Sequence, residues 1–451
     1  MADHKSRFSP NQLFVHEDNA PLVIFRIVFG LLMAAEGFGA IITGWVRRNF
    51  IEPQFNFHFI GFDWLQPLPG NWMYAYYIVM GILGLGIAFG YRFRWSVFLY
   101  SLLWMGVYFM QKTSYNNHYY LFLLLLFLML VIPAHRYFSL DVRQKRIPPM
   151  YTAPRWSRYS LMLLLFIVYT YGAIAKLYPD WINGDAVTCF MEGKRDFPWI
   201  GKYLQHDWAI WTVTWGGVAY DGLIVPMMLF PPTRMFGVLS SLVFHLFNSA
   251  VFQIGGFPYL MLGALVLFYP PDRVKRWFFP RKRSGRLSLN IMNITFLERL
   301  TLILLAAFFA VQIALPLRHW FFPGNVHWTE EGHRMSWQMM LRRKRGNARF
   351  VVKDLNKGTR FTIPSRRYLT ARQARKVATR PDMAWQYAQF LASEYEARGL
   401  NVGVFIEESK VRLNKRPPAP LYKPDVNLAA VQWSSLKHAD WLLPAPPLPD
   451  N

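Results

Sequence analysis

Long hydrophobic runs alternate with short polar loops through the first two thirds of the chain, up to about residue 317. A helix that crosses a bilayer needs about 20 mostly apolar residues. On that criterion we predict about nine membrane spans, at residues 22–45, 73–90, 95–111, 119–134, 159–178, 208–230, 235–252, 257–269 and 296–317. The fourth and eighth runs are short, so their boundaries are the least well defined.

The remainder of the chain has the pattern of a soluble domain. Short alternating segments predict strands at 349–353, 360–363 and 402–407. Residues 371–398 predict a helix that Pro381 interrupts, and the tail from Pro417 is proline-rich and extended. The predicted fold is an α-helical multi-pass membrane domain of about nine spans, residues 1–317, followed by a small α+β domain with a Pro-rich tail, residues 318–451.

Composition supports the membrane assignment. The chain of 451 residues is 53% hydrophobic, whereas soluble proteins average about 45–50%. Its net charge of +24 would suit nucleic-acid binding. The lysines and arginines, however, cluster in short loops between apolar runs, where membrane topology accounts for them. We therefore expect a lipid bilayer and no nucleic acid as a partner.

Loop charge also predicts the orientation. With nine spans, one side collects 18 basic residues, from Lys5 and Arg7 to Arg286, and the other collects 6. The positive-inside rule places the richer side in the cytoplasm. We expect a cytoplasmic N-terminus and an extracytoplasmic C-terminal domain.

Two common kinds of chemistry are absent from the sequence motifs. Cys189 is the single cysteine, so no intrachain disulfide can form, and it has no neighbouring base that would make it a nucleophile. There is no HExxH or CxxC motif, and no histidine pair at ligand spacing on one helix. We expect no metal site.

Ionisable residues within apolar runs are costly and mark sites of function or of buried pairing. Six stand out: Arg26, Glu36, His118, Lys176, Asp221 and His245. Arg26 lies near a helix end and is predicted to snorkel to the interface. Glu36 and Asp221 are predicted to pair with a basic side chain inside the bundle.

The other three fall toward the extracytoplasmic side in the nine-span arrangement. Burial disfavours the charged form of a lysine such as Lys176, and a neutral amine is a competent general base. His118 and His245 could orient an oxygen anion. A lone histidine on an apolar face is more often a structural core residue, and the aromatic residues around these spans are also typical of an interfacial belt. Both interpretations stay open on the residues alone.

Four blocks, in order along the chain, resemble the vitamin K-dependent gamma-glutamyl carboxylase family. The segment Lys112 to Tyr119, KTSYNNHY, is similar to the family's KTSWNNHSY. Residues 167–184 are similar to the segment that carries the family's base lysine. The other two blocks are FHLFNSAVFQIGGFPYLML at 244–262 and SWQMM at 336–340. On this resemblance the chain is identified as a bacterial-type member, an HTTM-domain protein.

The resemblance implies an enzyme that couples oxidation of reduced vitamin K by dioxygen to γ-carboxylation of glutamate with carbon dioxide. The cofactor would be a hydroquinone of menaquinol or phylloquinol type, and the substrate a glutamate-containing peptide or protein. Lys176 would be the base, with His118 and Asn117 as further catalytic residues. Residues expected to bind the quinol or the substrate are Tyr115, His245, Asn248, His333, Trp337, Met339 and Met340.

The sequence also departs from the family. Animal enzymes carry a second lysine before the base, where Ala175 stands here; they have a disulfide and a longer C-terminus. The quinone chemistry is therefore better supported than peptide carboxylation. The alternative hypothesis is a non-catalytic transporter, or a lipid- or quinone-binding module, on the same scaffold.

Overall fold

The computed structural model describes residues 10–285 and 295–448. Lys5, Arg7 and Arg286, which enter the loop-charge prediction, lie outside the described residues.

The N-terminal part of the described chain is largely helical. Its helices are α1 (Ala20–Ile42), α2 (Trp72–Phe89), α3 (Phe93–Met110), α4 (Asn117–Val131), α5 (Leu140–Arg143), α6 (Arg155–Ala175), α7 (Pro179–Ile182), α8 (Asp185–Glu192), α9 (Asp207–Leu229), α10 (Arg234–Phe247), α11 (Phe257–Ala264), α12 (Pro271–Phe278) and α13 (Phe296–Leu317). A short antiparallel pair, β1 (His16–Asp18) and β2 (Thr152–Pro154), holds the start of α1 beside the start of α6.

A helix lies at each predicted span, but the helices differ in their capacity to cross a bilayer. Within the described residues, 5 helices are long and apolar enough: Ala20–Ile42, Trp72–Phe89, Arg155–Ala175, Arg234–Phe252 and Phe296–Phe321. Asn117–Val131 and Phe257–Phe268 are shorter apolar helices. The region is thus helical and membrane-like, and the count of about nine spans stays a prediction.

Small residues let α1 and α2 pack closely. A Cβ added to Gly30 would lie 2.2 Å from the Ala88 nitrogen, and one added to Gly84 would lie 2.4 Å from the Ala34 nitrogen. Such contacts between backbones are typical of helices that associate in a membrane. They fix the position of α1 and, with it, of the wall of the bundle that carries Glu36.

Two intramembrane charges differ from expectation. The prediction that Arg26 snorkels is wrong: it is fully buried and donates to three backbone carbonyls in the segment 134–138, at 2.7 to 3.3 Å. Those carbonyls follow the end of α4 and accept hydrogen bonds from the two terminal guanidinium nitrogens, whereas Nε has no hydrogen-bond partner among the described residues. Glu36 makes no ion pair with any described residue; its carboxylate accepts the Gly256 N–H at 3.3 Å.

The C-terminal part is an α+β unit. It contains α14 (Val326–Thr329), β3 (Lys344–Asp354), β4 (Arg360–Ile363), α15 (Ala371–Val377), α16 (Pro381–Glu396) and β5 (Val402–Leu413). The strands form an antiparallel sheet in the order β4-β3-β5. The predicted strands and the helix broken near Pro381 are confirmed, because Pro381 begins α16, where a proline is tolerated.

Buried ion pairs join the two parts. The Asp180 carboxylate receives two hydrogen bonds from Arg416, at 2.6 and 3.1 Å. Lys112 and Arg334 both contact Asp382 at 2.7 Å. Burial alone would raise the pKa of the Asp382 carboxyl, but Arg334 and Lys112 hold it well below its ordinary value. These pairs fix the α+β unit over one end of the helical bundle.

Candidate active site

A narrow cavity of about 90 Å³ lies where α4 and helices α6 to α11 meet the α+β unit. Most of its wall is apolar or aromatic. The polar and methionine side chains on the wall include His118, Tyr169, Lys176, Met191, Asp221, His245, Asn248, Met339 and Met340. The structure thus brings Lys176 and the two histidines of the sequence prediction to one cavity.

Lys176 is the C-cap residue of α6, and its side chain turns back into the bundle. The ammonium forms an ion pair with the Asp221 carboxylate and donates to the Gly172 carbonyl oxygen at 3.2 Å. Lys176 is only 7% exposed and Asp221 5%. A buried charge is tolerated when it is paired and hydrogen-bonded, so each of these groups depends on the other. The Trp181 ring lies 5.6 Å from the lysine nitrogen.

His245 is held by tyrosines. Its Nε2 lies 3.0 Å from the Tyr169 hydroxyl and 3.1 Å from the Tyr220 hydroxyl. Tyr220 in turn donates to Ser241 at 3.0 Å. The other ring nitrogen, Nδ1, has no hydrogen-bond partner among the described residues, although the side chain is buried. Buried polar atoms are normally satisfied, and His245 lines the cavity, so Nδ1 is a candidate contact for a ligand there.

His118 lies in the first turn of α4, which the Asn116 side chain caps by accepting the Tyr119 N–H at 2.8 Å. Its ring stacks on Phe257, with 3.9 Å between ring centroids. The same Phe257 ring meets His245 edge-on at 6.1 Å. Phe257 therefore sets the spacing between the two histidines.

The end of α10 widens into a π-turn at Asn248–Phe252, and Gln253 follows in the left-handed region at φ 53°. Turns of this kind occur often at functional sites. The turn places Asn248 and Phe252 on the cavity wall.

The soluble domain contributes a strained segment. Met335, Trp337 and Met340 all have left-handed backbone, with φ of 58°, 57° and 51°. Non-glycine residues rarely adopt this conformation, and they cluster at functional sites. The segment carries Met339 and Met340 onto the cavity wall.

Four predicted site residues lie outside this wall. Asn117 accepts the Tyr115 hydroxyl at 2.7 Å, and the Tyr115 ring faces His333 at 6.2 Å. His333 is held by Glu330, through its carbonyl at 2.6 Å and its carboxylate at 3.1 Å. Trp337 packs on Tyr120 instead. Asn117, Tyr115, His333 and Trp337 are thus not part of the wall of this cavity, and their site roles stay predictions.

The sequence predicted that Asp221 pairs with a basic side chain, and the structure identifies that side chain as Lys176. The sequence did not indicate which basic residue it would be. Sequence reasoning also passed over Tyr169 and Tyr220 as partners of His245. One signal was available for Tyr169: it precedes Lys176 by two helical turns and so shares its face of α6. Asp221 lies mid-way along α9, and nothing local in the sequence indicates its contact.

Two protein families match consecutive parts of the chain. The HTTM domain matches residues 14–273, and the vitamin K-dependent gamma-carboxylase lumenal domain matches residues 297–447. The chain belongs to the vitamin K-dependent gamma-carboxylase family of HTTM-domain proteins. The family assignment made from the four sequence blocks is thereby confirmed. Membership supports a carboxylase-like role in general and implies a reduced vitamin K cofactor. No solved structure gives a significant match to the chain.

Proposed function

We propose that the protein is a membrane-embedded, quinol-dependent carboxylase. It uses reduced vitamin K of menaquinol or phylloquinol type, dioxygen and carbon dioxide to convert glutamate side chains of a peptide or protein to γ-carboxyglutamate. The observation that carries the proposal is a lysine amine, Lys176, that shares an apolar cavity with two histidines.

The cavity suits a flat, lipid-soluble ring with hydroxyl groups. Phe257, Met339 and Met340 offer apolar contact, and the unmatched Nδ1 of His245 offers one hydrogen bond. The narrow free volume means that these flexible methionines must move aside to admit a ring. Reduced vitamin K, when bound, would supply together with dioxygen the strong base that removes the γ proton of glutamate.

Lys176 and Asp221 handle the first proton. In the base form, the amine is neutral and the carboxylate carries one negative charge. When Nζ accepts a proton from a ring hydroxyl, the dyad becomes an ammonium–carboxylate pair with no net charge. A neutral pair is favoured where water is scarce, so Asp221 assists the transfer. Before each turnover the dyad must release one proton.

The histidines orient the hydroxyl toward the lysine. His245 has little freedom, because Tyr169 and Tyr220 hold its Nε2 and Phe257 lies against its ring. His118 is fixed by its stacking on the same phenylalanine. Groups that are already oriented stabilise a developing negative charge without reorganisation during the reaction.

We further propose the orientation that loop charge predicts, with a cytoplasmic N-terminus in a bacterial cytoplasmic membrane and an extracytoplasmic C-terminal domain. Reporter fusions after Arg283 and after Lys410 test it. They are expected to report opposite sides of the membrane, and reports from one side would contradict the orientation.

A quinone-binding module without chemistry is the second candidate. One observation favours this candidate: the charge of Lys176 is balanced by the ion pair with Asp221. A buried lysine with such a partner can be purely structural. Turnover separates the two candidates.

The test uses the purified full-length chain in lipid nanodiscs with menaquinol or phylloquinol, dioxygen and labelled carbon dioxide, with and without a glutamyl peptide. Quinone epoxide and label in the peptide are measured. The proposal predicts epoxide formation that the peptide stimulates, together with label in the peptide. Quinol binding without epoxide would contradict it and support the binding module.

A further inference from the structure

A second cavity, of about 670 Å³, lies in the soluble domain. We call it the basic cavity, because seven side chains on its wall are cationic: Arg342, Arg343, Lys344, Arg345, Arg375, Lys376 and Arg380. They come from β3 with the segment before it, and from α15 with the loop after it. The fold therefore joins two separate basic stretches of the sequence into one wall.

Negative charge on this wall is scarce. Glu330 is the one carboxylate among the described lining residues, and it is already engaged. Arg342 binds it through both ends of its guanidinium, with Nε at 2.7 Å, and Arg380 and Lys344 lie within 3.8 Å. Because Glu330 carries a single negative charge, it does not balance the charge of the remaining basic side chains on the wall.

Three of the cations make no ion pair with any described residue: Arg345, Arg375 and Lys376. Repulsion from Arg380, together with burial, holds the pKa of Lys376 well below its ordinary value. Burial, with repulsion from Arg342 and Arg380, lowers the pKa of Lys344 to about 7. A bound anion would relieve this repulsion, so the wall favours anionic ligands.

The basic cavity adjoins the cavity that contains Lys176. Phe190 and Met340 line both of them. Met340 sits in the strained segment, and Phe190 lies on α8. These two side chains are the boundary between a charged, solvent-facing cavity and an apolar one, so a ligand in the first lies next to the second.

We propose that the basic cavity binds an acidic peptide segment. Several of its carboxylates pair with Arg345, Arg375 and Lys376, while one glutamate side chain extends past Phe190 and Met340 toward Lys176. Arginine suits this role because its planar fork binds carboxylates in a bidentate manner. The identity of the reacting glutamate rests on the proposed function, whereas the binding of the peptide does not.

The test is a binding measurement that needs no turnover. A fluorescent peptide with five glutamates is titrated with the full-length protein in nanodiscs, and anisotropy gives the dissociation constant. The variant carries Arg345→Gln, Arg375→Gln and Lys376→Gln. Its matched control carries Lys357→Gln, Arg366→Gln and Lys423→Gln, which remove the same charge from exposed positions.

The triple variant in the basic cavity is expected to bind the peptide at least about tenfold more weakly, since three exposed ion pairs contribute about 0.5 kcal/mol or more each. The control should change by less than about twofold, because distant surface charges are screened. Equal loss in both variants would overturn the proposal, as it would show attraction by net charge alone.

The wild-type protein supplies a second measurement, should the triple variant fail to fold. Affinity for the glutamate peptide should fall as salt rises, and the same peptide with glutamines should not bind. Equal binding of the two peptides, or displacement by inorganic phosphate at matched ionic strength, would overturn the proposal. Peptide binding without epoxide formation would instead count against the proposed function alone.

Discussion

The cavity around Lys176 and the basic cavity meet at Phe190 and Met340, yet they hold charge in opposite ways. In the first, one cation is matched by one carboxylate, Asp221, inside an apolar wall. In the second, seven arginine and lysine side chains share a wall with Glu330, the one carboxylate among its described lining residues. The Lys176–Asp221 pair becomes neutral when it takes up one proton, whereas an unbalanced wall attracts anions. Under the proposed function, the two cavities suit different substrates of one reaction.

The largest expected effect lies at the interface that keeps the cavities together. Arg416→Met removes the partner of Asp180, which is 0% exposed. An uncompensated buried charge costs about 3–5 kcal/mol, so we expect the free energy of unfolding to fall by that amount in denaturation of the full chain. In the control, Arg349→Met breaks the exposed pair with Glu408 and should cost less than about 1 kcal/mol. Equal losses would contradict the importance of this interface.

The next effect breaks the balanced pair itself. Asp221→Asn removes the negative charge that stabilises the protonated Lys176, and we expect quinol epoxidation to fall about a hundredfold. Asp221→Glu keeps the charge and should recover part of the rate, which a purely structural role would not require. Glu36→Gln is the matched control, because its side chain can still accept the Gly256 N–H. An Asp221→Asn variant at the parent rate would remove Asp221 from the mechanism.

The smallest effect concerns the unbalanced wall. The pKa of Lys344 is about 7 in the folded protein, below the usual 10.4 or so of an unfolded chain. Between those values the unfolded state binds more protons, so stability should rise with pH. Lys344→Met is expected to flatten that rise in unfolding measured from about pH 7 to about pH 10. Lys357→Met, at an exposed position, should leave the slope unchanged. If stability rises with pH as steeply in Lys344→Met as in the parent protein, the charged form of Lys344 is not destabilised by folding.

Local patterns predicted much of the fold and part of the site. Helices occur at all the predicted spans because a long apolar run can be recognised from neighbouring residues alone. The strands of the C-terminal unit were predicted from the alternation of apolar and polar residues. Contacts between distant residues were not accessible in this way. Lys176 and Asp221 are 45 residues apart, and the basic cavity needs β3 and α15 together.

The differences within the site have the same origin. The sequence places Asn117 beside His118, but its side chain accepts a hydrogen bond from Tyr115 and is not part of the cavity wall. His333 is likewise held by Glu330, in the charged network of the soluble domain. The hydrogen-bond partner of a polar side chain depends on tertiary packing, which the periodicity of apolar residues does not predict.

The most direct test of the central claim, that Lys176 is the general base, compares Lys176→Arg with Lys202→Arg. Arginine keeps charge and length but does not lose its proton, and Lys202 is an exposed lysine outside the cavity. We predict that quinol epoxidation falls at least about a hundredfold in Lys176→Arg, stays near the parent rate in Lys202→Arg, and returns in part when a small amine is supplied to Lys176→Ala. A Lys176→Arg enzyme that turns over near the parent rate would contradict the base assignment and favour the binding module.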